Sequence, residues 1–193
     1  MNVLALLGSP RQDGCGAALT KALCTALAQH NATTRTVHLQ DLHYSGCTAC
    51  QACKEHAEAC VVRDDLTEIL AAAAACDVLI LSTPVYFGDV SAQLKGFIDR
   101  MYSFLVPDFH DNPVKSRLAP GKKMVFIQTQ GHPDENAFND LFPRCEFFLR
   151  WYGFDPLMLL RVCGTENPAD DVARPAVQAR IAEIVKALTA AHV

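Results

Sequence analysis

The chain of 193 residues lacks an excess of positive charge, because 17 Lys and Arg stand against 21 Asp and Glu and give a formal net charge of -4. Such a chain has no basic field to hold a nucleic acid or an anionic membrane surface. Glycine and proline are also few, at 10 each, and 50% of the residues are hydrophobic. This composition excludes a disordered, collagenous or coiled-coil chain and predicts a single globular domain over residues 1–193.

Long apolar runs are missing as well. The longest candidate, residues 69–81, is interrupted by Asp77 and is shorter than the roughly 18 residues that span a membrane. The first apolar run, residues 3–7, has no basic segment before it and no small-residue cleavage site after it, so it does not match a signal peptide. We therefore expect a cytoplasmic protein without membrane or nucleic-acid partners.

Cysteine, by contrast, is abundant. The chain has nine cysteines, which is many for a cytoplasmic protein, and an odd number cannot pair completely within one chain. Five of them fall in or beside predicted helices and strands, where they are most simply small buried hydrophobic side chains: Cys15, Cys24, Cys76, Cys145 and Cys163. The other four lie close together in the sequence, which makes metal or redox chemistry the first hypothesis.

Short apolar runs alternate with amphipathic segments along the chain. The apolar runs predict five strands, at 2–7, 33–39, 77–82, 124–128 and 157–162. The segments between them predict helices at 15–30, 65–75, 91–104, 135–152 and 173–191, with a proline-marked loop at 106–123. Asp65 and Glu68 have the spacing of a capping box at the start of the second helix. Strands that alternate with helices predict a doubly wound parallel α/β sheet.

The first predicted strand leads through residues 8–16 into a helix. The free amide groups and the positive dipole at the start of a helix favour a phosphate, to which Ser9 and Arg11 could add a hydroxyl and a cation. No lysine follows Gly14, and Leu19 occupies the place of a third glycine, so the loop matches neither a Walker A nor a dinucleotide-binding motif. Taken alone, an irregular turn with a surface arginine explains the loop equally well.

Two further strand ends carry unusual loops. The third strand is followed by a stiff, aromatic segment that suits a flat ring: Pro84, Val85, Tyr86, Phe87 and Gly88. Aromatic side chains turned into the core explain this segment equally well. The fourth strand ends in a short polar loop with a glycine: Thr129, Gln130, Gly131 and His132. Because ligands of open α/β sheets bind beyond the carboxyl ends of the strands, the three loops together predict one ligand site.

The cysteine-rich loop, residues 47–60, carries the second candidate site. The spacing of Cys47, Cys50 and Cys53 matches the compact thiolate runs of bacterial iron-sulfur proteins, and the more distant Cys60 supplies a fourth ligand. A four-thiolate zinc site, with His56 as a substitute ligand, satisfies the same count. A redox pair of the first two cysteines, or free or disulfide-forming thiols, are the remaining alternatives.

Three segments carry a family resemblance. They are Gly8-Ser-Pro-Arg11 with Gly14, residues 82–100 (STPVYFGDVSAQLKGFIDR), and the cysteine-rich loop as far as Asp64 and Asp65. Together they resemble the flavodoxin-like NADPH-dependent FMN reductase family, and within it the iron-sulfur flavoproteins. The resemblance runs from residue 2 to about residue 131 and is most specific in residues 84–100.

The resemblance implies a fold, a function and a set of binding residues. The fold is a flavodoxin-like five-stranded parallel sheet of order 2-1-3-4-5 in a single domain. The FMN phosphate would lie on the loop and helix start that contain Ser9, Arg11, Gly14, Cys15 and Gly16. The isoalloxazine ring would lie against residues 84–88, with Thr129, Gln130 and Gly131 at the other rim. One [4Fe-4S] cluster would be held by Cys47, Cys50, Cys53 and Cys60.

The implied activity is FMN-dependent electron or hydride transfer. A ferredoxin-like donor is implied if the cluster is present, whereas reduction of a flavin or a quinone by NAD(P)H is implied if it is absent. Family likeness also implies a homodimer or homotetramer. No side chain is an obvious proton donor, so no catalytic acid is assigned. The rival hypothesis is a non-enzymatic zinc-binding or thiol-switch regulator that uses the flavodoxin fold as a scaffold.

Three positions depart from the family pattern. Cys15 and Gly16 stand where the family has Asn followed by Thr or Ser, which removes a hydroxyl from the phosphate site and predicts weaker FMN binding. Ala49 stands where the family often has glycine before the second cysteine of the loop.

Overall fold

The structure is a computed structural model and describes residues 1–190. Its five strands form one parallel sheet in the order β2-β1-β3-β4-β5. The strands are Asn2–Leu7 (β1), Thr33–His38 (β2), Val78–Pro84 (β3), Lys123–Gln130 (β4) and Leu157–Cys163 (β5). The sheet and its strand order confirm the predicted architecture. Because the order reverses between β1 and β3, the loops after these two strands lie on either side of a crevice.

Helices cover both faces of the sheet. They are Cys15–Ala28 (α1), Ala52–Glu55 (α2), Leu66–Ala75 (α3), Ala92–Arg100 (α4), Leu141–Leu149 (α5), Pro168–Ala173 (α6) and Pro175–Thr189 (α7). One core layer joins the sheet to α1 and α7, and the other joins it to α3, α4 and α5. The strand β4 is buried along its whole length, as a strand covered on both faces should be. No helix within residues 1–190 is long and apolar enough to cross a membrane.

The fourth predicted helix, at 135–152, is shorter than the sequence indicates. The prediction of 135–152 is wrong for residues 135–140, which form turns before α5 begins at Leu141. Carbonyl groups of this segment accept hydrogen bonds from the side chains of Gln128 and Arg161 on the neighbouring strands, so they are not available for helical bonds. Phe138 adopts a positive φ of 61°, which no regular helix contains.

The predicted capping box of α3 is displaced by one residue. The pair Asp65 and Glu68 is wrong, because the side chains that accept hydrogen bonds at this helix start are those of Asp64 and Thr67. Asp64 Oδ1 accepts from the Leu66 N–H at 3.1 Å, and Thr67 Oγ1 accepts from the Asp64 N–H at 3.1 Å. Asp64 is thereby fixed at the end of the cysteine-rich loop.

The closing helix predicted at 173–191 is α7, which begins two residues later, and the short helix α6 before it was not predicted. Pro168 and Pro175 stand in the first turns of α6 and α7, where the missing N–H of proline costs no helical hydrogen bond. The last predicted residue, Ala191, lies outside the described residues.

Candidate functional site

The carboxyl ends of β1, β3 and β4 bring the three predicted loops to one edge of the sheet. The Gly8 N–H donates to the Ser82 carbonyl at 2.8 Å, which ties the first loop to β3. The Val85 N–H donates to the Thr129 carbonyl at 2.8 Å, which ties the second loop to the third. The loops therefore form a continuous rim around the crevice.

The N-terminus of α1 lacks a side-chain cap. Gly14 is the residue before the helix, no side chain accepts from the first-turn N–H groups, and no acidic residue lies in that turn. Ser9 Oγ accepts instead from the N–H of Arg11 at 3.1 Å. In α4, by contrast, Ser91 Oγ accepts from the Leu94 N–H at 3.3 Å. The start of α1 thus keeps free donors and the positive end of a helix dipole, which together suit an anion.

Cys15 and Gly16, which depart from the family pattern at the start of α1, have structural roles. The Cys15 thiol is buried and donates to Asp171 Oδ2 on α6 at 2.9 Å. Burial, together with the Asp171 carboxylate, raises the pKa of this thiol to about 11. Gly16 packs against β3 so closely that a Cβ atom would lie 2.8 Å from Ser82 Oγ. A hydroxyl from β3 therefore lies beside the position where the family carries a hydroxyl on the helix.

The second loop is a tight turn that exposes two aromatic rings. The Tyr86 N–H donates to the Asp89 carbonyl at 2.9 Å, and the Asp89 N–H donates back at 3.1 Å. Phe87 and Gly88 have positive φ angles of 50° and 81°, as a type I′ turn requires. The Phe87 side chain is fully exposed and Tyr86 is 43% exposed. The alternative that these rings pack into the core is therefore wrong.

The buried side-chain amide of Gln130 holds the third loop in its conformation. Gln130 is 3% exposed. Its Nε2 donates to the His132 carbonyl at 3.0 Å, and its Oε1 accepts from Arg161 at 2.9 Å. Its side chain thus holds the loop in place, and no atom approaches within 4 Å of a Cβ built on Gly131. The open backbone around Gly131 is the part of this loop that a ligand could approach.

The four clustered cysteines line one cavity. Cys47 and Cys50 are exposed, whereas Cys53 and Cys60 are half-buried, and all four border the same hollow beside α4. His56 lies instead along a neighbouring surface groove. Within residues 1–190, no three Cys, His, Asp or Glu side chains come together as a site for a metal ion. A metal centre at these cysteines therefore stays a prediction.

The backbone of the loop is held in an unusual path. Ala49 and Gln51 both adopt left-handed conformations, with φ of 53° and 58°. Such conformations cost L-residues free energy and persist where the surrounding structure enforces them. The Ala49 N–H donates to Cys47 Sγ at 3.4 Å. The turn between the first two cysteines thus directs a backbone donor at a sulfur atom.

Cationic side chains surround the loop. Arg117 donates to the Cys53 carbonyl at 3.0 Å, and Lys54 Nζ donates to two carbonyls of the segment after α4 at 2.6 Å each. Burial raises the pKa of the Cys53 thiol. Lys54 and Arg117 oppose that shift, and Cys60 adds to it. The pKa of the Cys53 thiol therefore depends both on a neighbouring thiol and on two nearby cations.

Sequence reasoning did not identify Arg100 as a functional residue. Its side chain is fully buried and forms an ion pair with Asp64 at 2.8 Å. Its Nε–H also donates to Cys60 Sγ at 3.0 Å. Arg100 follows Phe97 by three residues and Leu94 by six, so it extends the buried stripe of α4. A charged residue on an apolar helical stripe was the signal that could have identified it.

The sheet order, the uncapped phosphate-type loop after β1 and the exposed aromatic turn after β3 define a flavodoxin-like flavoprotein. The chain belongs to the NADPH-dependent FMN reductase family, whose family model matches residues 1–144. Its five-stranded sheet has the flavodoxin-like strand order.

Curated relatives carry the name iron-sulfur flavoprotein. One from Methanocaldococcus jannaschii is 40% identical over 100 residues, covering 52% of this chain and 51% of that protein. One from Archaeoglobus fulgidus is 34% identical over 137 residues, covering 71% of this chain and 59% of that protein. This chain thus matches only about half the length of these relatives.

Solved structures share the fold over nearly the whole chain. An NAD(P)H:quinone oxidoreductase from Methanothermobacter marburgensis has a TM-score of 0.74 at 18% identity, covering 100% of this chain and 99% of that one. An FMN-dependent NADH-azoreductase from Bacillus anthracis, in complex with FMN, has a TM-score of 0.67 at 15% identity and covers 98% of both chains. These similarities confirm the flavodoxin-like architecture.

Proposed function

We propose that this chain is an FMN-dependent oxidoreductase that holds FMN across the ends of β1, β3 and β4 and one [4Fe-4S] cluster on the cysteine-rich loop. The observation that carries the FMN site is the uncapped start of α1 beside Arg11. Within residues 1–190 the Arg11 guanidinium has no ion-pair partner, and its side chain is exposed. A phosphate would supply the missing acceptor for both the amides and the cation.

The phosphate end of the site is formed mainly by backbone. The N–H groups of Gly14, Cys15 and Gly16 would bind the phosphate oxygens, with Ser9 and Arg11 at the rim. The Cys15 thiol donates to Asp171, so it contributes its backbone and not its sulfur. Because backbone amides carry the binding, the loss of the family's hydroxyl at position 16 removes one contact among several.

The ring end of the site is formed by the two other loops. The backbone of residues 85–88 on one side and of Gly131 on the other would hydrogen-bond the edge of the isoalloxazine ring. Gly88 permits close approach because it has no Cβ. FMN supplies the hydride and electron chemistry when bound, while the chain binds, orients and tunes it.

Two features of the cysteine-rich loop support the cluster. The four thiols border one cavity, and two N–H donors point at sulfur atoms, from Ala49 to Cys47 and from Arg100 to Cys60. Cluster thiolates characteristically accept hydrogen bonds of this kind, which help to set the reduction potential. With the cluster, we propose a ferredoxin-like one-electron donor. The name of the matched family favours NAD(P)H as the donor if the loop holds no cluster.

The FMN site can be tested through its phosphate end. Riboflavin lacks the phosphate, so we expect it to bind far more weakly than FMN when both are titrated by flavin fluorescence quenching. If bound FMN buries the bond between Arg11 and the phosphate, Arg11→Ala should weaken FMN binding by about 1 to 3 kcal/mol, whereas riboflavin binding should not change. Arg35→Ala is the matched control, because Arg35 is an exposed arginine on β2 that pairs with Glu68.

Equal affinities for FMN and riboflavin would contradict the phosphate site. An equal effect of Arg11→Ala and Arg35→Ala on FMN binding would assign the loss to general charge and not to a local contact. The oligomeric state remains a prediction from family likeness, which size-exclusion chromatography coupled to light scattering tests directly.

A further inference from the structure

A buried guanidinium joins the two ends of the cysteine-rich loop. Arg100 Nη1 donates to the Ser45 carbonyl at 3.0 Å and to Asp64 Oδ2 at 2.8 Å, and Nη2 donates to the Val62 carbonyl at 3.0 Å. Ser45 precedes the first cysteine of the loop, while Val62 and Asp64 follow the last. One side chain at the end of α4 therefore closes the base of the loop.

The Nε–H donor of this guanidinium points at a candidate ligand. Arg100 Nε lies 3.0 Å from Cys60 Sγ. The Arg100 side chain is 0% exposed and the Asp64 side chain is 13% exposed. Burying a guanidinium carries a large desolvation cost even when it is paired. The ion pair with Asp64 alone therefore does not account for an arginine at this position. A lysine could not replace it, because a single ammonium group cannot reach this fan of acceptors.

The loop has little other structure to hold it. Between the two ends it contains only the four-residue helix α2 and no strand, so it lacks the ladder bonds that fix the sheet. Side chains from outside the loop take their place, and Arg100 is the one whose donor reaches a sulfur atom.

We propose that Arg100 is the positioning residue of this site: it fixes the return segment of the loop and directs an N–H donor at the Cys60 sulfur. This inference rests on the proposed cluster. A hydrogen bond to a ligating thiolate draws electron density from the cluster and stabilises its reduced, more negative form, so it raises the reduction potential. Arg100 would thereby raise the reduction potential of a cluster bound by this loop.

Arg100→Lys tests this role, because it keeps the charge and removes the fan of donors. Arg117→Lys is the matched control, since Arg117 binds the same loop through the Cys53 carbonyl and not through a sulfur. The first readout is backbone hydrogen exchange of residues 45–64 in metal-free protein. The second is the cluster midpoint potential, measured by an electron paramagnetic resonance titration after anaerobic reconstitution.

We expect Arg100→Lys to speed exchange at the loop ends at least tenfold. It should also lower the ratio of reduced to oxidised cluster at a fixed potential by about tenfold, which equals a fall of 59 mV in the midpoint potential of a one-electron couple. Arg117→Lys should speed exchange but leave the potential unchanged. If the wild type holds a cluster and Arg100→Lys does not lower its potential, the inference about Arg100 is overturned, whereas the proposed cluster stands. A wild type that binds no iron or sulfide would overturn both.

A second variant covers the case in which Arg100→Lys does not fold. Asp64→Asn keeps the Cys60 contact but weakens the anchor of the guanidinium, so we expect faster exchange at the loop ends. Exchange identical to that of the wild type would contradict the anchoring role of Arg100.

Discussion

The nine cysteines occupy two different regions of the molecule and differ in their chemistry. Five lie in or beside the sheet and its helices, and the pKa of each is raised, with burial as the first cause. For Cys15, Cys24 and Cys145 the value reaches about 11. The other four line one cavity in a loop with almost no regular structure.

The difference shows how the same side chain serves two purposes. Inside the sheet layers a thiol behaves as a small hydrophobe, because burial disfavours the thiolate that nucleophilic or metal chemistry requires. In the loop the thiols share a cavity, and N–H donors point at two of their sulfur atoms. Surroundings, more than residue type, therefore separate the candidate ligands from the structural cysteines.

The largest expected effect is the loss of iron and sulfide when one cysteine of the cysteine-rich loop is replaced. Cys53→Ser should reduce iron and acid-labile sulfide to near zero in anaerobically reconstituted protein, because it removes one of the four proposed ligands. Cys24→Ser should leave both unchanged, because Cys24 is buried between α1 and the sheet. Metal analysis by mass spectrometry and a sulfide assay measure the two variants side by side.

Two outcomes would contradict the cluster. Equal iron content in the wild type and Cys53→Ser would show that any iron is bound elsewhere. Zinc without sulfide in the wild type would identify a four-thiolate zinc site and favour the regulatory alternative.

The second effect concerns thiol reactivity in metal-free protein. A pKa of about 11 in place of 9.0 lowers the thiolate fraction of Cys24 and Cys145 about 100-fold at pH 8. Iodoacetamide should therefore modify the exposed Cys47 and Cys50 far faster than these two, as peptide mass spectrometry would show. Comparable modification rates at Cys24 and Cys47 in folded protein would remove the distinction between the regions.

The strands of the sheet were predictable from sequence, whereas the contacts that hold the cysteine-rich loop were not. The strands follow from apolar runs whose pattern depends only on neighbouring residues, so β1 and β5 were predicted to within one residue. The start of α5 was missed because Arg161, 26 residues from Glu135, and Gln128, 10 residues from Phe138, donate to carbonyls that a helix would use. The spacing of the cysteines identified the candidate ligands. The role of Arg100 depends on tertiary contacts that no local pattern encodes.

The third effect is the pH dependence of the stability that a buried cysteine of the sheet region contributes. The pKa of Cys24 is raised on folding, so its contribution to stability is fully present below about pH 9 and is lost as pH rises towards 11. The stability difference between the wild type and Cys24→Ala should therefore shrink by about 2 kcal/mol between pH 8 and pH 11, at 1.36 kcal/mol for each pKa unit. Urea denaturation at several pH values measures it, and a difference that does not vary with pH would contradict the assignment.

The smallest effect compares backbone strain in the two regions. Ala49 in the cysteine-rich loop has a φ of 53°, a conformation that costs an L-residue roughly 1 to 2 kcal/mol and costs glycine almost nothing. Ala49→Gly should therefore stabilise the protein by up to about 1 kcal/mol, after the greater entropy of glycine in the unfolded chain is subtracted. Ala71→Gly is the control, because Ala71 is an exposed residue inside α3, where the same change should destabilise by about 1 kcal/mol. Urea denaturation of metal-free protein should give shifts of opposite sign, and a loss of stability in both variants would show that the loop is not strained at Ala49.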